Sequence, residues 1–255
     1  MATSPTLHGK GMFCVHSKIS RPDLLDVSTF IKWYDEDHIP EIIETSGIKS
    51  ARRFIDIDPK ADMPYLATYP MEDLGFTQSQ EFRKIRVTSD ILPGDSSVYD
   101  LANFDARCDN LVSIFDKTSQ GKGDLKSLVV VKCELKKHIL TEDAENWFRE
   151  KHCAAMAQAN GYLRTTGFRL GSARSTAQLR ALKGLDAATD DPAPQPATWI
   201  SLHEFDCDAS QLDAVKLGNL ASRPWEDKTF DVYDVHVYAL AQEAGEKNWF
   251  HGAKV

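Results

Sequence analysis

The sequence has little with which to build a cross-linked or metal-centred protein. Its 255 residues include five cysteines. Cys14, Cys108, Cys133, Cys153 and Cys207 are odd in number and far apart, with no Cys-x-x-Cys pair. That excludes a disulfide framework or a zinc knuckle and points to free thiols in a reducing compartment. No His-x-His, His-x-x-x-His or His-Glu-x-x-His spacing occurs, so no metal site is expected. Glycine-rich phosphate loops are absent, and Gly121-Lys122-Gly123 reads as a linker. No apolar run approaches the ~20 residues of a membrane helix. The polar stretch Met1 to Lys10 lacks the apolar core of a secretory signal, so the cytosol is the expected location. Basic residues are also in deficit. Lys and Arg number 30 against 38 Asp and Glu, a net charge of -8, which repels nucleic acid and anionic membranes. The densest basic stretches, Lys132, Lys136, Lys137, His138 and Arg83, Lys84, Arg86, are short and read as solvated faces.

What the sequence does have is an internal repeat. Residues 33–54 and 147–168 align without a gap at an offset of 114, which equals 147 minus 33. Trp33 matches Trp147, Tyr34 matches Phe148, His38 matches His152, Gly47 matches Gly161 and Phe54 matches Phe168. Further along, Val98-Tyr99-Asp100 corresponds to Val232-Tyr233-Asp234, and Tyr65–Met71 to Trp199–Phe205.

Each copy spells the same order of elements. In the first, Met12 to Ile19 reads as a strand, with Pro22 near the start of the helix that follows. The stripe Val27, Phe30, Ile31, Tyr34, His38, Ile42 lays one face of that helix on a core, and Gly47 stops it. Strands are expected at 50–57, 65–71 and 98–104, with a short helix over 76–85. In the second copy, 128–135 is a strand and Thr141 caps a helix with the inner stripe Ala144, Phe148, His152, Ala155, Met156, Ala159. Strands follow at 164–170, 198–205 and 230–240, with a short helix over 210–217. The stretch holding Pro192, Pro194 and Pro196 reads as an irregular excursion. Leu111 to Phe115 reads as an extra strand crossing to the other copy, and Trp249, Phe250 and His251 as a docked tail. The class is α+β: two ferredoxin-like βαββαβ units in tandem, divided as 1–120 and 121–255.

His38 shares the inward stripe. An imidazole with an ordinary pKa of roughly 6.5 gives or takes a proton near neutrality. Tyr34, one turn earlier, can donate to a developing oxyanion. Pro40 disfavours α geometry at Ile39 and removes the N–H that would bond the Glu36 carbonyl, so the helix is expected to break or kink there. The competing reading of a histidine on an apolar face is a core residue satisfied by one hydrogen bond, and it stands for both His38 and His152. Tyr99-Asp100 and Tyr233-Asp234 alternate faces if they lie on strands; an inward Asp100 would orient His38. Tyr69 and His203 occupy matching places on the third strands and are further lining candidates. Arg52 and Arg53 are either anion ligands or a solvated strand edge, and Asp35-Glu36-Asp37 a solvent-facing helix surface.

The run Trp33-Tyr34-Asp35-Glu36-Asp37-His38-Ile39-Pro40 resembles the EthD-like branch of the dimeric α+β barrel superfamily. The second copy, Lys151-His152-Cys153-Ala154, keeps the histidine and lacks the proline and most of the acids. The resemblance implies an intramolecular dimeric α+β barrel in which each unit holds a pocket between sheet and helices. With the stripe and strand placements above, catalytic roles are expected for His38, Tyr34, His152 and Asp100, and substrate contacts from Trp33, Tyr69, Phe148, His203, Tyr99 and Tyr233. The expected activity is proton transfer without a cofactor (cyclase, dehydratase, decarboxylase or isomerase) on a small aromatic or polyketide-like molecule. Cofactor-free monooxygenation, haem binding through either histidine, and a non-catalytic binding protein are the alternatives. A small molecule is the expected partner, with no nucleic acid and no membrane, and the chain is a monomeric pseudodimer or a homodimer.

Overall fold

The computed structural model describes residues 7–116, 124–186, 194–222, 230–247 and 249–250. Eight strands, β1 (Gly11–Ile19), β2 (Ser50–Asp56), β3 (Tyr65–Met71), β4 (Ala102–Asp116), β5 (Ser127–Leu135), β6 (Tyr162–Arg174), β7 (Trp199–Phe205) and β8 (Phe230–Gly245), close into a barrel. The order round it is β1-β3-β2-β8-β5-β7-β6-β4, with every neighbouring pair antiparallel. The four strands from each half therefore repeat one order, 4-1-3-2. The halves join at two seams, β2 with β8 and β4 with β6. Closure leaves no unpaired strand edge.

Helices coat the outside: α1 (Val27–Trp33), α2 (Ile39–Glu44), α3 (Gln80–Lys84), α4 (Val98–Leu101), α5 (Thr141–Trp147), α6 (Cys153–Met156), α7 (Thr176–Leu182) and α8 (Ala214–Ser222). Alternation along the strands divides the core. On β1, Phe13 and Val15 face the helices, while Met12 and Cys14 face the barrel interior with Phe54, Leu66, Val130, Phe168 and Leu202. The outer layer of the first half is rich in large aromatics (Phe13, Phe30, Trp33, Tyr34, Phe82, Phe104). That of the second half is built from smaller groups such as Val129, Val131, Met156 and Leu217, with Phe205.

Several expectations are corrected. The 98–104 strand begins as a helical turn, because Ser97 caps the Tyr99 N–H and the Asp100 carboxylate caps the Ser97 N–H. Strand β4 then runs on through Leu111–Phe115, so the supposed extra strand is its continuation, pairing with β6. The first helix is capped by Asp26, not opened by Pro22. Ile39 is α-helical despite Pro40. Gly47 is not a left-handed helix stop: a Cβ there would meet the Phe76 ring at 2.1 Å. Gly161 does adopt a positive φ of 76°. The excursion before β7 contains α7, with a Ser175–Gln178 capping box. The Gly121-Lys122-Gly123 join, Pro192 and His251 lie outside the described residues.

Candidate active site

Both helices that follow a first strand change winding at the same place. Tyr34–His38 and Phe148–His152 are single π-helical stretches, each ending on the repeated histidine. The Ile39 N–H bonds the Tyr34 carbonyl, and the Cys153 N–H that of Phe148. The second copy has no proline, so Pro40 does not cause the change. The π turn packs an extra residue into the helix, so Trp33, Tyr34 and His38 converge on one side.

In the first half these residues meet a pocket between the helices and strands β1, β3 and β4. Trp33, Tyr34, His38, Tyr69 and Tyr99 all line it, among apolar walls that include Phe82, Val98, Phe104 and Leu179. The His38 ring stacks on Trp33 at 4.5 Å between centroids and 19° between planes, with Tyr34 edge-on at 5.7 Å. Its Nδ1 is shielded from bulk water and meets no hydrogen-bond partner among the described residues. The Arg86 backbone lies beside the ring, and its N–H donates to Glu41 at 3.0 Å. Burial, then the Lys183 charge, lowers the His38 pKa to about 3. Burial pushes Tyr34 up to about 12 and raises Tyr69 and Tyr99 as well. At neutral pH the pocket thus presents one neutral imidazole and three neutral phenols.

The acidic run supports this histidine. Asp35 receives both arms of Arg53 from β2, at 2.8 and 2.7 Å, and pins the π turn to the barrel. Asp37 and Glu41 hold the Arg86 guanidinium at 2.8 and 3.3 Å. Arg53 is therefore buried and paired, not on a solvated edge. Asp35 and Asp37, expected on a solvent-facing surface, are half-buried and paired, because pairing across elements leaves no local periodicity; Arg86 is exposed as expected. A further residue escaped the sequence reading. Lys183, after α7, crosses to the first half, lines the pocket, and donates to the carbonyls of Phe82, Arg83 and Ile85 at 2.8, 3.2 and 2.8 Å. The capping box before α7 was its available signal.

Asp100 stands apart from His38. Its carboxylate caps Ser97 and pairs with Arg180. Tyr233 lies on β8 against Phe230, 5.1 Å between centroids, so it does not match Tyr99, which sits on a helical turn.

In the second half the matching histidine is buried among polar side chains. His152 and His203 are 1% and 0% exposed. Their Nε2 atoms lie 3.0 Å apart, and Ser201 Oγ is 3.1 Å from that of His203. Thr165 Oγ1 is 2.7 Å from His203 Nδ1, and the Tyr162 hydroxyl 2.6 Å from Thr165. Phe148 covers the other face of His152, stacked at 4.9 Å. By the repeat offsets, Thr165, Ser201 and His203 stand where the first half has Ala51, Ala67 and Tyr69. His203 and Ser201 reach His152 Nε2 and Thr165 holds His203 in turn, where the first half has two alanines and a tyrosine. Haem ligation by His152 would require this chain of hydrogen bonds to open.

No protein-family model matches the sequence, and no curated protein matches it. Solved structures share the fold. A candidate monooxygenase from Lactobacillus acidophilus NCFM superposes with a TM-score of 0.53 at 10% identity, covering 93% of this chain and 96% of the other. An anthrone oxidase-like protein gives 0.51 at 12%, covering 96% and 95%. Chlorite dismutase from Candidatus Nitrospira defluvii gives 0.52 at 10%, covering 92% of each chain. The protein has the architecture of these α+β barrels. Among the described residues no group of three or more His, Cys, Asp or Glu side chains is placed to hold a metal, and no helix is long and apolar enough to cross a membrane.

Proposed function

We propose that the chain is a cofactor-independent enzyme that binds a compact, partly aromatic or polyketide-like molecule in the first-half pocket and takes a proton from it with His38. In this reading residues 1–120 and 121–255 are ferredoxin-like units of EthD-like type, paired within a cytoplasmic monomer or a homodimer of such chains. The observation that carries it is the buried, unpartnered Nδ1 of a neutral histidine beside an apolar, phenol-lined pocket. A lone imidazolium is disfavoured there, which is why the group titrates near 3. An imidazolium formed beside the enolate or phenolate it has just created leaves no net buried charge. Tyr34, Tyr69 and Tyr99 supply phenolic donors for that developing oxyanion. Lyase and isomerase reactions both begin with this step.

A second reading starts from the same carbanion. Dioxygen adds to it, as in the conversion of anthrone and O₂ to anthraquinone and water. It is supported by the likeness in fold to the candidate monooxygenase and the anthrone oxidase-like protein.

Anthrone is the probe that separates the two. Under argon in D₂O, the protein is expected to speed deuterium entry at the anthrone methylene, with His38→Asn losing about 10²–10⁴-fold. Under air, oxygen uptake in step with anthrone loss supports the oxygenase; exchange without uptake supports the lyase or isomerase. If His38→Asn exchanges as fast as the parent protein, the assignment of His38 fails.

A further inference from the structure

The barrel has two ends, and they are finished differently. At the end where β2 starts, Trp249 and Phe250 cover the interior; the Trp249 ring lies 3.7 Å from the Arg52 guanidinium carbon. At the opposite end, where β1 and β5 finish, a second pocket of about 130 Å³ remains. It is lined by His16, Arg107 and Lys132, with Asp105, and by the apolar groups of Met63, Ala106, Ala173, Pro194 and Pro196.

Its polar groups are donors in excess. Arg107 is 4% exposed and spends Nε and one Nη2 bond on Asp109, at 2.7 and 2.6 Å. Its Nη1 is buried with no partner among the described residues. His16 is 5% exposed, and its Nε2 is likewise unpartnered. The charged groups that act on His16 are all cationic (Lys132, Arg107, His236), and with burial they hold it neutral. Lys132 makes no ion pair among the described residues. Asp109 is consumed by Arg107, while Asp56 and Asp234 are both consumed by His236, at 2.6 and 3.0 Å. Arg107 Nη1 and His16 Nε2 are thus two buried polar atoms without partners among the described residues, which folded proteins rarely leave unmet.

We infer that this open end of the barrel is a binding site for a small carboxylate with an apolar body, held by Arg107, Lys132 and His16. One carboxylate has acceptors enough for Arg107 Nη1, the Lys132 ammonium and a His16 Nε2–H. Asp105 in the lining, with the Asp234 and Asp56 charges that also act on Lys132, opposes a second negative charge and so selects a monoanion over a phosphate dianion. The wall of Met63, Ala173 and the two prolines takes the apolar part. This site faces the barrel interior, whereas the His38 pocket lies on the helix side of the strands, so the inference does not rest on the proposed chemistry.

The test is calorimetric titration of the whole protein with benzoate, benzamide and inorganic phosphate at low ionic strength. Benzoate is expected to bind one per chain, with benzamide and phosphate at least about tenfold weaker. Lys132→Met and His16→Leu should each weaken benzoate by about tenfold or more, the loss of one charge-assisted bond. Arg107 is left intact, since its removal strands the buried Asp109. His38→Asn should leave benzoate affinity unchanged. Absence of benzoate binding, equal binding of benzamide, tighter binding of phosphate, or a loss confined to His38→Asn would each overturn the inference.

Discussion

A histidine is worth most where its surroundings have decided its charge in advance. Burial lowers the pKa of His38 to about 3 and also lowers those of His16 and His203. Each is neutral in the folded protein, yet each takes up a proton near 6.5 once unfolded. Below 6.5 the unfolded chain therefore binds more protons, and stability falls as the pH falls. His236 works in the opposite sense. Asp234 and then Asp56 raise it to about 9, so its contribution is complete below 6.5 and is lost as the pH rises through 9. Denaturant midpoints are thus expected to peak near neutrality. His38→Phe should flatten the acid limb and His236→Gln the alkaline limb. An unchanged slope on either side, measured as midpoint against pH, would show that the corresponding group does not titrate as described. Activity should likewise show no acid limb at 6.5, since His38 stays neutral well below it.

At the scale of the element, the α7 excursion ties the halves together outside the barrel. Lys183 caps three carbonyls at the end of α3, and Leu179 beside it closes the pocket wall. Replacing Lys183 with Met is expected to cost about 1–3 kcal/mol in chemical denaturation, and to speed hydrogen exchange at the residues after α3. If exchange there is unchanged, α7 is only a cover. This element also marks where the sequence was legible and where it was not. The order of elements along the chain, the paired helices and the histidine register follow from a repeat at two offsets, 147 − 33 = 114 and 199 − 65 = 134, and from simple apolar periodicity. The pocket residues Trp33, Tyr34, His38, Tyr69 and Tyr99 come from the same pattern. Capping was read less well. Ser97-x-x-Asp100 and Ser175-x-x-Gln178 both announce helical turns, and both were passed over, one for a strand and one for a loop. The π turns carry no pattern of their own, because one extra residue in a helix leaves its composition unchanged. The pairing of Asp35 with Arg53 and of Asp37 with Arg86 depends on elements brought together only by folding.

The whole molecule is a closed surface of backbone hydrogen bonds with a stopper at one end. Trp249 is 2% exposed and gives Arg52 an aromatic face, while Glu243 and Glu204 hold the same guanidinium at 2.9 and 3.2 Å. Trp249→Ala is expected to cost about 3–5 kcal/mol, the usual loss for emptying a buried indole site. It should also quench a near-ultraviolet circular dichroism band. A loss under about 1 kcal/mol would mean that the tail merely rests on the barrel.

The unlike fates of His38 and His152 have a consequence for how such a protein can change. A barrel assembled from two identical chains receives every substitution twice, once in each pocket, so a change that spoils one spoils both. Here the two halves are written separately. Thr165, Ser201 and His203 could fill and quiet one site while Ala51, Ala67 and Tyr69 kept the other open. Continuity of the chain frees each half to specialise without asking leave of its twin.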